Sequence, residues 1–154
     1  MTEENLPLAD RINRDLQQAM RDRDDVSKIA LRSVKTALTE AAKAGESHQQ
    51  SEEEVLAVIQ KQAKQRRDAA SEYERVGAQD RAAEERAELA VLERYLPRQL
   101  SEAEIESVVR SVIDETGATS MQDMGRVMAA AMAQLKGKAD GKVVNQTVRR
   151  MLAS

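Results

Sequence analysis

Three lysines and two glycines within residues 136–142 are the strongest candidates for binding chemistry in this sequence. The stretch reads KGKADGK, so Lys136, Lys138 and Lys142 surround Gly137 and Gly141. Glycine lets a backbone approach a ligand closely, and the helix predicted to follow would offer free N–H groups and a positive dipole end. This combination favours a phosphate ligand. The alternative is ordinary solvated capping at a helix joint, because the spacing differs from that of a P-loop.

The C-terminal end is basic, although the whole chain has a formal net charge of -3. Residues 126–154 contain six Lys or Arg side chains and a single carboxylate, that of Asp140. A local basic surface can attract a polyanion, although a solvated helical face is the alternative. The candidate nucleic-acid-binding residues are therefore Arg126, Lys136, Gly137, Lys138, Gly141, Lys142, Arg149 and Arg150.

A second run of cations lies at residues 60–67, which read QKQAKQRR with no acidic residue. The chain has two Tyr and no Phe or Trp, so stacking of bases on aromatic side chains is not expected. Contact with the shape and the phosphates of a nucleic acid is the mode that this composition predicts.

Catalytic and metal-binding signatures are weak. The absence of cysteine excludes thiol catalysis, disulfides and Cys-ligated metals. His48 stands alone in a polar stretch, and no nucleophile elbow, P-loop or zinc-protease motif occurs. The acidic runs at residues 52–54 and 84–88 fall near helix starts or on helix faces, where carboxylates favour the helix dipole. We predict no catalytic residue, no metal site and no cofactor.

Apolar spacings of three and four predict an all-α protein. Six Gly and two Pro leave few turns, and Pro97 interrupts the helical pattern at a change in helix length. We predict an N-terminal helical domain of about four helices over residues 1–96 and a small three-helix domain over residues 97–154. The predicted helices cover approximately residues 8–21, 26–44, 51–76, 80–95, 101–117, 120–136 and 141–152.

Helix ends and inward faces are also predicted. Capping boxes are expected at Ser51 with Glu54 and at Ser101 with Glu104, and Gly45 is placed to end the second helix. Gly125 lies inside the sixth helix, where we expect it to allow a close helix approach. The predicted inward residues of the first helix are Leu8, Ile12, Leu16 and Met20. Those of the second helix are Val26, Ile29, Val34, Leu38 and Ala41. Those of the sixth helix are Met121, Met124, Met128, Met132 and Leu135. The methionine face could alternatively bind a partner helix.

Four stretches carry a resemblance to a known family: EEVLAVIQK at 53–61, ELAVLERYLP at 88–97, MGRVM at 124–128 and LKGKADGKVVN at 135–145. They resemble the GatB/YqeY family in its free-standing YqeY form. The resemblance implies a helical N-terminal domain followed by a three-helix domain. That second domain is similar to the tail of the GatB subunit of the tRNA-dependent amidotransferase, a region associated with tRNA binding.

The family label would be a carbon–nitrogen ligase with glutamine as amido donor. The chain lacks the catalytic portion of GatB and the amidase signature of the glutaminase partner, so we predict no catalysis on its own. The expected function is that of a tRNA-associated accessory protein whose C-terminal domain docks on the tRNA backbone. The alternatives are a protein-interaction adaptor and a component of a glutamine-dependent tRNA amidotransferase system, with amidotransferase or aminoacyl-tRNA synthetase proteins as partners.

The cellular location of the protein is predicted from the length of its apolar stretches and from its first residues. The run at residues 127–133 is far shorter than the roughly 20 residues that cross a bilayer, and the first residues are polar and acidic. We expect a soluble cytoplasmic protein with no membrane partner.

Overall fold

A computed structural model describes residues 6–44 and 50–153. The predictions made for Gly45 and His48 lie outside these residues. The described residues form seven α-helices and one short 3-10 helix, with no strand among them, which confirms the all-α prediction. Within this part of the chain, no helix combines the length and the apolar character needed to cross a membrane. The chain divides into two compact units, of which the first ends at Leu96 and the second begins at Pro97.

The first unit is built from four helices around one apolar core. The helices are α1 (Leu8–Asp22), α2 (Asp25–Ala44), α3 (Glu52–Arg75) and α4 (Gln79–Glu93). Side chains that are nearly inaccessible to solvent come from all four of them, led by Ile12, Leu31, Ile59 and Leu92. Burial of each such side chain contributes roughly 1.5–3 kcal/mol, so this core accounts for much of the stability of the unit.

The inward faces of α1 and α2 differ in part from those predicted. Met20 is exposed, and Ala19 takes the buried position next to it. On α2, the predicted inward residues Val26, Ile29 and Ala41 are exposed. The predicted inward positions of Val34 and Leu38 are confirmed, and the rest of the buried side consists of Ser27, Ala30 and Leu31. These five residues lie on one side of a helix that turns 100° per residue.

The second unit packs three α-helices and one 3-10 helix around a separate core. They are α5 (Glu102–Thr116), the 3-10 helix (Met121–Asp123), α6 (Met124–Leu135) and α7 (Gly141–Ala153). On α6, Val127, Ala131 and Leu135 are fully buried, whereas the predicted methionine stripe only flanks them. Three of these methionines are partly buried against the core, and Met121 is exposed.

Local signals set the helix ends. Both predicted capping boxes are present, because Ser51 bonds the backbone N–H of Glu54 and Ser101 bonds that of Glu104, each with the reciprocal contact. The prediction for Gly125 is wrong, since a Cβ added there would meet nothing within 4 Å. Gly125 is exposed, so it does not serve a close helix approach within this unit.

Candidate nucleic-acid interface

The joint between α6 and α7 is a tight turn that depends on one glycine. Helix α6 ends at Leu135, and the carbonyl of Leu135 accepts hydrogen bonds from the backbone N–H groups of Lys138 (2.8 Å) and Ala139 (3.1 Å). Gly137 has a φ of 81°, in the left-handed region that residues with a Cβ rarely adopt. The two glycines of the predicted site therefore differ, because only Gly137 is required by the backbone.

The joint is also held from outside, by the segment that precedes α5. The side-chain amide of Gln99 donates to the carbonyl of Gly137 at 2.9 Å. The backbone N–H of Leu100 donates to the carbonyl of Lys138 at 2.8 Å. These two bonds fix the turn that displays the lysine side chains, and neither was predicted from the sequence.

Asp140 occupies the start of α7. Its carboxylate accepts a hydrogen bond from the backbone N–H of Lys142 at 2.9 Å, and its carbonyl accepts from Val144 at 3.1 Å. Asp140 is thus the N-cap of this helix. The expectation that free N–H groups await a ligand here is wrong for Lys142, because Asp140 already uses its N–H.

The positive charge of the joint is nevertheless available. The side chains of Lys136, Lys138 and Lys142 are all exposed. None of the three forms an ion pair with a carboxylate of the described residues. Their ammonium groups, rather than the helix N-terminus, are the part of the joint that can contact an anion.

The exposed face of α7 extends this charge. Lys142, Gln146 and Arg149 are four and three residues apart, so they share one side of the helix, and all are exposed. The distance along the axis from Lys142 to Arg149 is about 10 Å. The Nε atom of Arg149 donates to Oδ1 of Asn145 at 3.0 Å, which leaves the remaining guanidinium N–H groups for a ligand.

The other two predicted cations have acidic partners. Arg126 pairs with Asp123 at 3.0 Å, and Arg150 pairs with Glu106 of α5. Backbone N–H bonds from Thr119 and Ser120, together with the charge of Arg126, lower the pKa of Asp123, so this carboxylate keeps its charge in the pair. Because a carboxylate partly neutralises each arginine, Arg126 and Arg150 attract an anion less strongly than Lys136, Lys138 and Lys142 do.

The basic run on α3 is largely occupied within the first unit. Arg66 contacts Glu85 at 3.2 Å and also pairs with Glu88, and its guanidinium donates to the hydroxyl of Ser33. Lys64 pairs with Asp68 at 3.4 Å. The prediction of an open basic patch at residues 60–67 is therefore wrong for Arg66, whose side chain is 14% exposed.

The acidic residues of the described part of the chain form no candidate metal site. Groups of three or more His, Asp or Glu residues that could hold a metal are absent from residues 6–44 and 50–153. The acidic run at 52–54 begins α3, as the helix-dipole interpretation expected. The Oε atoms of Glu52 accept from the backbone N–H of Leu8 at 3.0 and 3.1 Å, which ties α1 to α3.

Comparison with known proteins identifies the family of this chain. The family model described as Yqey-like protein matches residues 9–152. The chain belongs to the YqeY-like family. The resemblance stated from the four sequence stretches is thereby confirmed.

Two kinds of relatives match the YqeY-like protein. A glutamyl-tRNA(Gln) amidotransferase subunit of Thermococcus sibiricus is 51% identical over 57 residues, which are 34% of this chain and 9% of that protein. The subunit of the same name from Methanococcus maripaludis is 42% identical over 57 residues, which are again 34% of this chain and 9% of that protein. The chain therefore spans about a tenth of the length of these relatives. Altered inheritance of mitochondria protein 41 of Pyrenophora tritici-repentis, a mitochondrial protein, is 28% identical over 99% of this chain and 84% of its own length.

Proposed function

We propose that this YqeY-like protein is a non-catalytic, tRNA-associated accessory protein whose second unit docks on the tRNA backbone. One observation carries the proposal. Lys136 and Lys138 are exposed on a turn that Gln99 and Leu100 hold in place, and Lys142 is exposed in the first turn of α7. None of the three is paired with a described carboxylate. A hydrogen-bonded turn and an adjoining helix start that together present three ammonium groups suit contact with neighbouring phosphates.

The chemistry of the contact follows from the side chains present. Lysine ammonium groups act as point charges on phosphate oxygens, and Arg149 adds a planar guanidinium on the same face of α7. Aromatic platforms for base stacking are not available, because the two tyrosines both belong to the first unit. We therefore infer backbone docking without readout of the base sequence.

The relatives support a tRNA context. The names of the Thermococcus and Methanococcus proteins describe a tRNA amidotransferase, and the 57-residue match is close in length to the second unit, which runs from Pro97 to Ser154. We infer that the shared region serves to hold tRNA and that amide transfer belongs to the rest of those enzymes. Association with an amidotransferase is the second candidate function, and the 51% identity to the Thermococcus protein favours it.

The adaptor alternative has less support. Met124, Met128 and Met132 pack against the core of their own unit, so they offer little apolar surface to a partner helix. On α3, Ala70 is buried and Arg66 is bound to α4, so neither side chain is available to a partner.

The test is binding of the full chain to fluorescently labelled bulk tRNA, measured by anisotropy at about 50 and 200 mM salt. With four phosphate contacts, affinity is expected to fall at least roughly 50-fold between these salt concentrations. The triple variant Lys136→Ala, Lys138→Ala, Lys142→Ala should reduce the slope of log affinity against log salt by about 2–3.

A matched control removes three positive charges elsewhere. Arg21, Arg81 and Arg110 are exposed and dispersed over α1, α4 and α5, and their triple alanine variant changes the net charge equally. The proposal requires that the control keep most of the salt slope. Absence of tRNA binding at the lower salt concentration, or equal losses in the two triple variants, would contradict it. Co-purification of an amidotransferase or a synthetase with the wild-type chain would support the second candidate.

A further inference from the structure

Helix α2 carries a row of cations that was not predicted from the sequence. Lys28, Arg32, Lys35, Thr39 and Lys43 follow one another at spacings of four, three, four and four residues. Such spacings place all five side chains on one side of an α-helix. The row is about 22 Å long at 1.5 Å per residue.

A groove runs between this row and α1. It has a volume of about 590 Å³, and Leu16 and Met20 of α1 form its apolar part. Its α2 side consists of Arg32, Lys35, Thr36, Thr39, Glu40 and Lys43. Met20 is 50% exposed, so its side chain lies open to whatever occupies the groove.

The charges of the groove are unbalanced. Arg32, Lys35 and Lys43 form no ion pair with any carboxylate of the described residues, and Glu40 is the single acidic residue among the groove's lining residues. Lys28, at the end of the row, pairs with Asp25 at 3.1 Å. Three cations against one carboxylate along a groove create a positive potential that selects an anion.

We propose that the α1–α2 groove binds the sugar–phosphate backbone of RNA and so provides a second contact surface, in the first unit. This inference rests on the proposed function and extends it to another part of the chain. A row of separate charges fits a polyanion with regularly repeated phosphates better than it fits a single anion. The hydroxyl of Thr36 can donate to a phosphate or a 2′-hydroxyl oxygen, whereas that of Thr39 already donates to the carbonyl of Lys35 at 3.0 Å.

Other anionic surfaces fit this groove less well. A helix that lies on a membrane inserts its apolar face, but the apolar face of α2 is buried in the core through Ala30, Leu31 and Val34. An acidic protein partner would need aromatic or aliphatic anchors, and the groove offers only Leu16 and Met20 for their contact. RNA needs neither feature.

The first experiment uses the absence of native cysteine. Thr36→Cys places one thiol in the groove of the full chain, and a photo-crosslinking group attached there should cross-link labelled bulk tRNA. Ser71→Cys, on the exposed surface of α3, is the matched control and should cross-link at background level. Equal yields at both positions would overturn the proposal.

The second experiment removes the charges. The variant Arg32→Gln, Lys35→Gln, Lys43→Gln keeps good helix-forming residues, and circular dichroism checks its fold. Its affinity for tRNA should fall at least roughly 10-fold at 100 mM salt relative to the Arg21, Arg81 and Arg110 control. Competition by poly-glutamate as strong as that by tRNA would instead favour an acidic protein and overturn the RNA assignment.

The two proposals fail in different ways. If the joint lysine variant loses binding and the groove variant matches the control, only the groove proposal is wrong. If the groove variant loses binding and the joint variant does not, the docking site assigned to the second unit is wrong and the groove stands. If the wild-type chain does not bind tRNA at low salt, both proposals are wrong.

Discussion

The phenol oxygen of Tyr95 donates a hydrogen bond of 2.5 Å to Oδ2 of Asp15, which lies eighty residues earlier in the chain. The bond joins the end of the first unit to its first helix. The guanidinium of Arg11 lies 5.5 Å from the centre of the Tyr95 ring, so the ring has a second contact that does not involve its hydroxyl. Tyr95, the second residue before Pro97, is thus tied to its own unit.

Replacing Tyr95 with Phe should remove the hydrogen bond and keep the ring contact. We expect the free energy of unfolding of the first unit to fall by about 1–2 kcal/mol, because Asp15 loses a donor. Urea unfolding followed by circular dichroism measures the change. Tyr73→Phe is the control, since the Tyr73 hydroxyl forms no hydrogen bond within the described residues and its loss should be nearly neutral.

The wild type and the Tyr95→Phe variant also test how stability depends on pH. Burial, followed by the bond to Asp15, raises the pKa of Tyr95 above its ordinary value. A group whose pKa is higher in the folded state stabilises that state fully below the unfolded pKa, about 10, and loses this contribution as pH rises above it. The stability difference between wild type and Tyr95→Phe should therefore shrink from about pH 8 to about pH 11. A constant difference would contradict the raised pKa.

Arg66 is the next test of the first unit. Its guanidinium bonds Glu85, Glu88 and Ser33, while its Nε atom is buried with no hydrogen-bond partner. Burial raises the pKa of Glu88 despite the nearby arginine, which marks the cost of placing this carboxylate inside the protein. Without Arg66, two carboxylates would remain near each other with no cation between them.

Arg66→Ala should therefore destabilise the first unit by about 2–3 kcal/mol, below the range for a fully buried pair because some solvent reaches the group. Tyrosine fluorescence during urea unfolding reports this unit selectively, since both tyrosines lie in it. Lys64→Ala, on the same helix, disrupts an exposed pair and should cost less than about 0.5 kcal/mol. Equal costs for the two variants would show that the Arg66 contacts contribute no more than a surface ion pair.

Much of the fold can be predicted from local signals. Serine three residues before glutamate begins α3 and α5 as expected, and Gly117 ends the predicted fifth helix with a φ of 67°. The rotation of α2 could not be predicted in this way. Val26 and Ile29 imitate an inward stripe, but the contacts with α1 and α4 select the side that bears Leu31.

The candidate site was predictable only in part. The sequence alone places the three lysines at the α6–α7 joint, and the structure shows that their side chains are exposed. The N-cap formed by Asp140 could also have been predicted from the sequence, because aspartate is a favoured N-cap residue just before a helix. The basic row on α2 was harder to detect, since its members are spread over sixteen positions and only a helical projection brings Arg32 and Lys43 together.

Gly125 offers a test of the second unit. It lies near the start of α6 with open space around the position of a Cβ. Gly125→Ala should stabilise the unit by about 0.5–1 kcal/mol, because alanine loses less conformational entropy in a helix. Thermal unfolding followed by circular dichroism should show a melting temperature higher by roughly 2–6 °C. A lower melting temperature would contradict the open surroundings of Gly125.

The two glycines of the α6–α7 joint should respond differently to the same substitution. Gly137→Ala forces a Cβ into left-handed backbone and should cost about 1–2 kcal/mol in the free energy of unfolding. Gly141→Ala should be tolerated, since its Cβ would lie 3.9 Å from Cε of Met132, an ordinary contact distance.

Affinity for tRNA separates a structural role of these glycines from a direct one. If the lysine side chains make the phosphate contacts, Gly141→Ala should keep both the stability and the tRNA affinity of the wild type. A loss of affinity at unchanged stability would instead mean that the backbone at Gly141 approaches the RNA closely, as the sequence alone predicts. Gly137→Ala should weaken binding through the turn, because the carbonyls that Gln99 and Leu100 hold would shift with it. In that case the lysines lose their fixed positions, and affinity should fall together with stability.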